Sequence, residues 1–263
     1  MFDFYVISPI YNGVDGVTCW SVEQSHHLLE QADVRFKWLP GSTGKGDALI
    51  ARSRSIACTA FLEYGEPDYM IFLDSDIVFQ PRDLLQIFKD MKEGYELVGG
   101  IYPVRNGTQI ASYFPHGKAP DGPPGVYECQ FLSTGFMGIN KSLLRKMVKE
   151  LELPILHEHT PDMRSYPFFE DRAFWNDHAD NAGNQWIWLS EDWDFCEKAK
   201  KVGVKPHLDT RVILGHQGNY VWTLKDIESH QAGLAIAKEQ EELKEKYKIG
   251  EGVDWVAMGA EDA

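Results

Sequence analysis

Short apolar runs alternate with helical stripes along most of the chain. Phe4 to Ile10 is a β-rich run that ends in the turn Tyr11-Asn12-Gly13. Val34 to Leu39 predicts a second strand, closed by Pro40-Gly41. From Asp47 to Tyr64, the apolar residues Leu49, Ile50, Ile56, Ala57, Ala60 and Phe61 recur at helical spacing, and Gly65 stops the helix. Tyr69 to Leu73 is a continuous apolar run, the pattern of a strand buried on both faces of a parallel sheet. A helix follows, with Pro81 at its start, Leu84, Leu85, Phe88 and Met91 as its stripe, and Gly94 as its stop. Leu97 to Val104 reads as strand again.

Pro103 to Gly125 is rich in proline and glycine and reads as loop. Strand character resumes from Val126 to Ile139. Asn140 then caps a helix that turns Leu143, Leu144, Met147, Val148 and Leu151 inward. Pro154 to Trp188 is aromatic, polar and aperiodic, which predicts an ordered excursion or a functional lid. Ser190 caps a further helix ended by Gly203. Val212 to Leu214 is a short strand, and Trp222 to Lys248 is a helical tail with a charged face. His26-His27 reads as an exposed pair on a helix. The alternation predicts an α/β fold, its sheet mostly parallel with mixed edges and flanked by helices. The expected division is one domain over residues 1–218 and a C-terminal helical extension over 219–263 packed on it.

Composition narrows the function classes. The chain has 263 residues, 43% of them hydrophobic and 25% charged. A chain of that size buries a large core without a disulfide or metal staple. Its 26 basic and 40 acidic residues give a net charge of −14. That balance argues against nucleic acid or an anionic membrane as the main partner, while a bound metal would still admit an anionic ligand. Cys19, Cys58, Cys129 and Cys196 form no CxxC pair, so a zinc knuckle is excluded. Their scatter reads as free thiols of a reducing compartment, with two disulfides as the alternative. The first residues look like a strand, without a basic leader or long apolar run. No signal peptide and no transmembrane anchor are expected, and a cytoplasmic location follows from that reading.

Candidate chemistry gathers at three places. Ile71-Phe72-Leu73-Asp74-Ser75-Asp76-Ile77-Val78 sets two carboxylates at i, i+2 just after a buried strand, where open α/β sheets collect ligands. Hard divalent cations take such oxygen ligands. A bare pair of this kind often only caps a helix, but the apolar flanks here would leave two acids beside the core without partners. Ser190-Glu191-Asp192 opens a helix. Acids there complement the helix dipole, and a catalytic role needs a pocket, which Trp186, Trp188 and Trp193 could build. His216 lies between Gly215 and Gln217-Gly218 after a strand, with room for a ligand. His157-Glu158-His159 could bind metal only on an extended segment. Gly41-Ser42-Thr43-Gly44-Lys45-Gly46 fails as a phosphate loop, because Leu39 stands where the first glycine is needed and Gly46 replaces the hydroxyl residue.

Taken in order, these features resemble the GT-A glycosyltransferase superfamily, nearest its family-two-like inverting members. The resemblance spans about Phe4 to Gly218. It rests on Ser8-Pro9-Ile10-Tyr11-Asn12-Gly13, Ala51-Arg52-Ser53-Arg54, Asp74-Ser75-Asp76, Ser133-Thr134-Gly135-Phe136-Met137-Gly138, Ser190-Glu191-Asp192 and Gly215-His216. It implies a Rossmann-like nucleotide-diphospho-sugar transferase fold, a nucleotide-sugar donor (a UDP-sugar above all), a carbohydrate or other hydroxyl acceptor, and Mn²⁺ or Mg²⁺. By the same resemblance, Pro9, Ile10 and Tyr11 receive the nucleotide. Arg52 or Arg54 approaches the nucleotide or the acidic motif, and Asp74 and Ser75 lie at the ribose or the metal's waters. Asp76, His216 and Asp74 form the metal set, and Thr134 and Gly135 lie near sugar and acceptor. Asp192 is the expected base, with Glu191 as orienter or second candidate, and a helix N-terminus should keep Asp192 ionised at some loss of basicity.

Where such enzymes place an acid at the end of the second strand, this chain has Leu39-Pro40-Gly41-Ser42. The acceptor side falls to Pro103–Gly125 and Pro154–Trp188, with Tyr220 and Trp222. A retaining transferase on the same fold, or a sugar-nucleotide-binding module without turnover, is the alternative. A nucleotidyltransferase is disfavoured, because Tyr11-Asn12-Gly13-Val14-Asp15-Gly16 lacks a basic residue.

Overall fold

The computed structural model describes residues 1–41, 48–114, 120–157, 164–176, 185–218 and 220–247. The first half of the chain runs β1 (Phe4–Ser8), α1 (Gly16–Gln31), β2 (Phe36–Pro40), α2 (Ile50–Tyr64), β3 (Tyr69–Leu73), β4 (Ile77–Val78), α3 (Pro81–Lys92) and β5 (Leu97–Ile101). Then come β6 (Val126–Glu128), β7 (Phe136–Asn140), α4 (Lys141–Glu150), β8 (Leu156–His157), β9 (Arg164–Ser165), β10 (Arg172–Asn176) and β11 (Gln185–Leu189). The chain closes with α5 (Glu191–Lys201), β12 (His207–Ile213), β13 (Gly215–Gln217), β14 (Val221–Trp222) and α6 (Leu224–Tyr247).

The central sheet has seven strands in the order β2-β1-β3-β7-β5-β12-β6. Strands β2, β1, β3, β5 and β12 run one way, and β7 and β6 run against them. The sheet is therefore mostly parallel, as its apolar runs predict. The mixing is not confined to the edges, however, since β7 pairs antiparallel with both β3 and β5 in the middle.

Alternation along β3 divides the core. Met70 and Phe72 point to one side, where α2, α4 and α5 supply Ala57, Phe61, Leu144, Met147 and Phe195. Ile71 and Leu73 point to the other, against Val22 and Leu29 of α1 and Leu84, Ile87 and Met91 of α3. A strand covered on both faces has no polar positions to spare, which explains its unbroken apolar run.

The structure departs from the hydropathy pattern in several places. The strand expected over Val126–Ile139 is two, β6 at the sheet edge and β7 in its middle. Helix α1 has no strong apolar stripe, because much of its buried face is hydroxyl: Thr18, Ser21 and Ser25 lie beside Val22 and Leu29. His26 and His27 are exposed on it, with the His26 ring stacked on Phe36 at 4.0 Å. The aperiodic stretch after Pro154 contains two antiparallel pairs, β8–β9 and β10–β11. In the second pair, Trp175, Trp186 and Trp188 occupy one face and Phe174 and Ile187 the other, against the core. Apolar residues on both faces erase the period-two signal. Strand β12 starts five residues earlier than expected, because His207 and Asp209 alternate with Leu208 and pair with β5. The tail helix starts at Leu224, because Val221 and Trp222 pair with β13. Ser190 precedes α5 but makes no capping bond to the helix amides.

The four cysteines are free. Among the described residues, no helix is long and apolar enough to cross a membrane. Most of the Gly41–Gly46 segment, and Glu158 and His159, lie outside the described residues, while His157 is exposed on β8.

Candidate active site

The carboxyl ends of β1 and β3 open onto one side of the sheet, and the acidic turn Asp74-Ser75-Asp76 lies there. The turn is held from three directions. The Asp74 amide donates to the Gly135 carbonyl at 2.9 Å, the Asp15 amide donates to the Ser75 carbonyl at 2.8 Å, and the Gln217 amide donates to the Asp76 carbonyl at 2.8 Å. The last bond continues the pairing of β4 with β13, in which His216 stands opposite Ile77. An antiparallel bridge thus carries His216 to Asp76 across 140 residues of sequence. The Asp76 side chain is only 10% exposed, and its Oδ2 lies 3.3 Å from His216 Nε2.

Arg54 projects from α2 into the same place. One Nη donates to both oxygens of Asp74, at 2.8 and 2.9 Å, and the other donates to Glu191. With 5% of its side chain exposed, Arg54 is a buried cation between two carboxylates. Burial opposes its charge, but Asp74, Glu191 and Asp192 outweigh that and hold its pKa above the ordinary value. Arg105, from the turn after β5, donates to Asp76 through Nη2 and to His216 Nε2 through Nε at 3.4 Å. Burial pushes Asp76 up, but the contacts with His216 and Arg105 prevail and leave it below the usual aspartate range.

Asp192 lies in the first turn of α5 across the cavity. Ser190 Oγ and the Trp193 amide (2.9 Å) both donate to its Oδ1. Burial raises the Asp192 carboxyl above its ordinary value, against the pull of Ser190 and Arg54. Burial thus works against the loss of basicity expected from the helix end. Glu191 is raised for the same first reason, and the Arg54 charge opposes it.

Tyr102, buried on the cavity wall, accepts the Gly135 amide on its hydroxyl at 2.8 Å. A Cβ on Gly135 would stand 2.4 Å from that hydroxyl oxygen, so this close approach requires glycine. Burial, with Asp74 and Asp192 nearby, keeps the Tyr102 phenol protonated far above neutral pH.

These residues border two adjoining cavities. One, of about 250 Å³, is lined by Pro9, Ile10, Tyr11, Ile50, Ser75 and Asp76. The other, of about 220 Å³, is lined by Tyr102, Ser133, Thr134, Gly135, Asp192 and His216. Arg54, Asp74 and Arg105 line both. Together they reach the size range of small-molecule sites, roughly 300–1,000 Å³. Arg52 is exposed and lines a separate cavity of about 490 Å³ with Leu49, Leu156, Phe169, Glu170 and Asp171, so the structure brings Arg54 and not Arg52 to the acidic turn.

Fitness for a divalent cation can be judged from Asp76 and His216. Neighbouring ligands on an octahedral ion with bonds near 2.1 Å stand roughly 3 Å apart, close to the observed 3.3 Å. His216 Nδ1 donates to the Pro103 carbonyl at 3.0 Å, which turns Nε2 toward Asp76. Such a bond orients most metal-ligating histidines. Asp74 is engaged by Arg54, and among the described residues no three His, Cys, Asp or Glu side chains form a metal cage. The pair therefore suits a cation whose remaining ligands come from phosphate and water.

No protein-family model matches the chain, and neither does any curated protein sequence. Solved structures do match. The crystal structure of A197 from STIV superposes with a TM-score of 0.53 at 17% identity, covering 86% of this chain and 92% of that one. GalNAc-T7, crystallised with UDP, GalNAc and Mn²⁺, superposes with a TM-score of 0.50 at 13% identity. That match covers 86% of this chain, which spans about half of GalNAc-T7 (47% of that chain). The fold is thus GT-A, an arrangement shared with glycosyltransferases.

Proposed function

We propose that this chain is a glycosyltransferase that moves a sugar from a nucleotide-diphosphate donor, a UDP-sugar in the first instance, to a hydroxyl acceptor with inversion. The observation that carries this reading is one constellation. Asp76 and His216 stand an octahedral edge apart at the seam of two cavities, with a half-buried carboxylate, Asp192, in the second. In this reading the Pro9–Tyr11 cavity takes the nucleotide, the Thr134–Gly135 cavity takes the sugar, and the diphosphate lies between them beside Arg54 and Arg105. Asp76 and His216 would hold Mn²⁺ or Mg²⁺, which would supply positive charge to the departing diphosphate. Asp192 takes the proton of the acceptor hydroxyl, which its raised pKa favours. Glu191 holds Arg54, which holds Asp74, so both acids act by positioning. The cavity beside Arg52, walled by Leu156, Phe169 and Asp171, supports the acceptor side in the 154–188 segment.

A thermal-shift panel of UDP-, GDP-, dTDP- and CMP-sugars, each with and without Mn²⁺, tests this reading. A ligand at 100 times its dissociation constant stabilises by about 2.7 kcal/mol. The reading expects a shift that needs both nucleotide and metal, and a flat panel would refute it.

A further inference from the structure

Arg105 bridges the Asp76–His216 pair. The Pro103 carbonyl accepts only, so His216 Nδ1 donates to it, and Nε2 is the ring nitrogen turned toward Asp76, 3.3 Å from the carboxylate oxygen. Arg105 closes the triangle, with Nε toward His216 and Nη2 toward the same Asp76 oxygen. A guanidinium thus lies against both groups that a divalent cation would have to reach.

Two further observations show how it is held. The Arg105 side chain is 69% exposed, so its grip on Asp76 is that of a surface ion pair, weak and easily exchanged. Its backbone is fixed. The Val104 amide donates to the Gln109 carbonyl and the Gly107 amide to the Val104 carbonyl, both at 2.9 Å. Gly107 turns at φ +65° with its Cα against the Trp222 ring, where a Cβ would stand 2.4 Å from the ring. A hydrogen-bonded turn thus carries an exposed guanidinium that lines both cavities.

We propose that Arg105 is a built-in counter-cation of the Asp76–His216 pair, which a divalent metal displaces and which then engages the donor's diphosphate. The proposal rests on the metal reading above and adds an exchange to it. Charge supports the second half. Four carboxyl groups, Asp74, Asp76, Glu191 and Asp192, gather around two guanidinium groups, Arg54 and Arg105. A dianionic diphosphate entering that field needs the incoming metal and a freed guanidinium together.

The exchange predicts opposite effects of one substitution on two ligands. Free Mn²⁺ is counted by its EPR signal, and UDP binding is followed by calorimetry in EDTA and then with Mn²⁺. Arg105→Ala should bind Mn²⁺ alone about two- to fivefold more tightly than the parent, the factor expected for losing an exposed competing ion pair. The same variant should bind UDP about tenfold more weakly, as a charge-assisted phosphate contact is lost, and Arg105→Lys should recover part of that loss. Unchanged or weaker Mn²⁺ binding in Arg105→Ala overturns the exchange. His216→Ala separates the two layers. If Mn²⁺ binding survives in His216→Ala, the metal reading itself fails. If it is lost there yet unchanged in Arg105→Ala, only the exchange fails.

Discussion

Replacing Arg54 with methionine keeps much of its volume and removes its charge, which isolates what the buried guanidinium does. Asp74, Glu191 and Asp192 would then share a cavity with no buried cation. Breaking a buried ion pair by deleting one partner costs about 3–5 kcal/mol. Asp74 keeps 30% of its side chain in solvent, so the lower end, about 3 kcal/mol, applies here. For a chain of this size that lowers Tm by roughly 6–12 °C. The loss should depend on pH. Burial already raises Glu191 and Asp192; the Arg54 charge restrains Glu191, and Ser190 and then Arg54 restrain Asp192. Without it, their folded pKa values climb further above the unfolded ones. An acid with a raised folded pKa is unpenalised below its unfolded pKa and costs stability as pH rises through its folded pKa. The Tm deficit of Arg54→Met should therefore be large at pH 8 and shrink toward pH 4.5. Scanning calorimetry across that range reads it. An equal deficit at every pH would mean that Arg54 acts by packing alone, and would refute the charge argument.

Three other outcomes follow from the same geometry. Asp192→Asn should keep donor affinity and lose turnover by about 10²–10⁴-fold, and loss of donor binding together with turnover would assign Asp192 a structural role. Asp90 and Asp209 are buried together under Arg211, which donates to both at 2.9 and 2.8 Å. Burial first, then Asp209, pushes Asp90 up to about 7, so its stabilising contribution is complete below about 4 and fades as pH rises through 7. Tm should fall between pH 5 and 8, and Asp90→Asn should flatten that slope. Trp186 and Trp188 are 68% and 72% exposed on the outer face of the β10–β11 pair, which leads straight into Ser190 and Asp192. If they stack on acceptor sugar rings, Trp186→Ala and Trp188→Ala should raise acceptor KM several-fold with donor KM unchanged, and no change in either KM would remove them from the acceptor side.

The legible part of the sequence was the part where local pattern and long-range role coincide. A five-residue apolar run such as Tyr69–Leu73, too short for a helix and closed by an acidic turn, reads as a doubly covered strand, so the turn behind it falls at a sheet end. Helix α1 was nearly invisible, since its buried face is built from Thr18, Ser21 and Ser25. In the site, Asp76 and His216 stood out by local context, as carboxylate after strand and histidine between glycines. Arg105 had no such context. It is one arginine in a loop, and its partners lie 29 and 111 residues away. Tyr102 was likewise hidden inside a strand-like run, and only the cross-sheet contact with Gly135 reveals it. Arg52 and Arg54 are two positions apart on one helix, and i, i+2 residues face apart. Helix phase alone decides that Arg54 enters the site.

The claim that this constellation transfers sugar is tested most directly by following a UDP-sugar by proton NMR with Mn²⁺ and a hydroxyl acceptor. The account predicts that the donor's anomeric signal decays, that UDP appears in step, and that the first product carries the opposite anomeric configuration. It also predicts that Asp192→Asn slows this decay by orders of magnitude while still binding UDP. A donor signal that persists with metal present for every nucleotide sugar would contradict the transferase reading, and a product that keeps the donor's configuration would contradict Asp192 as the base.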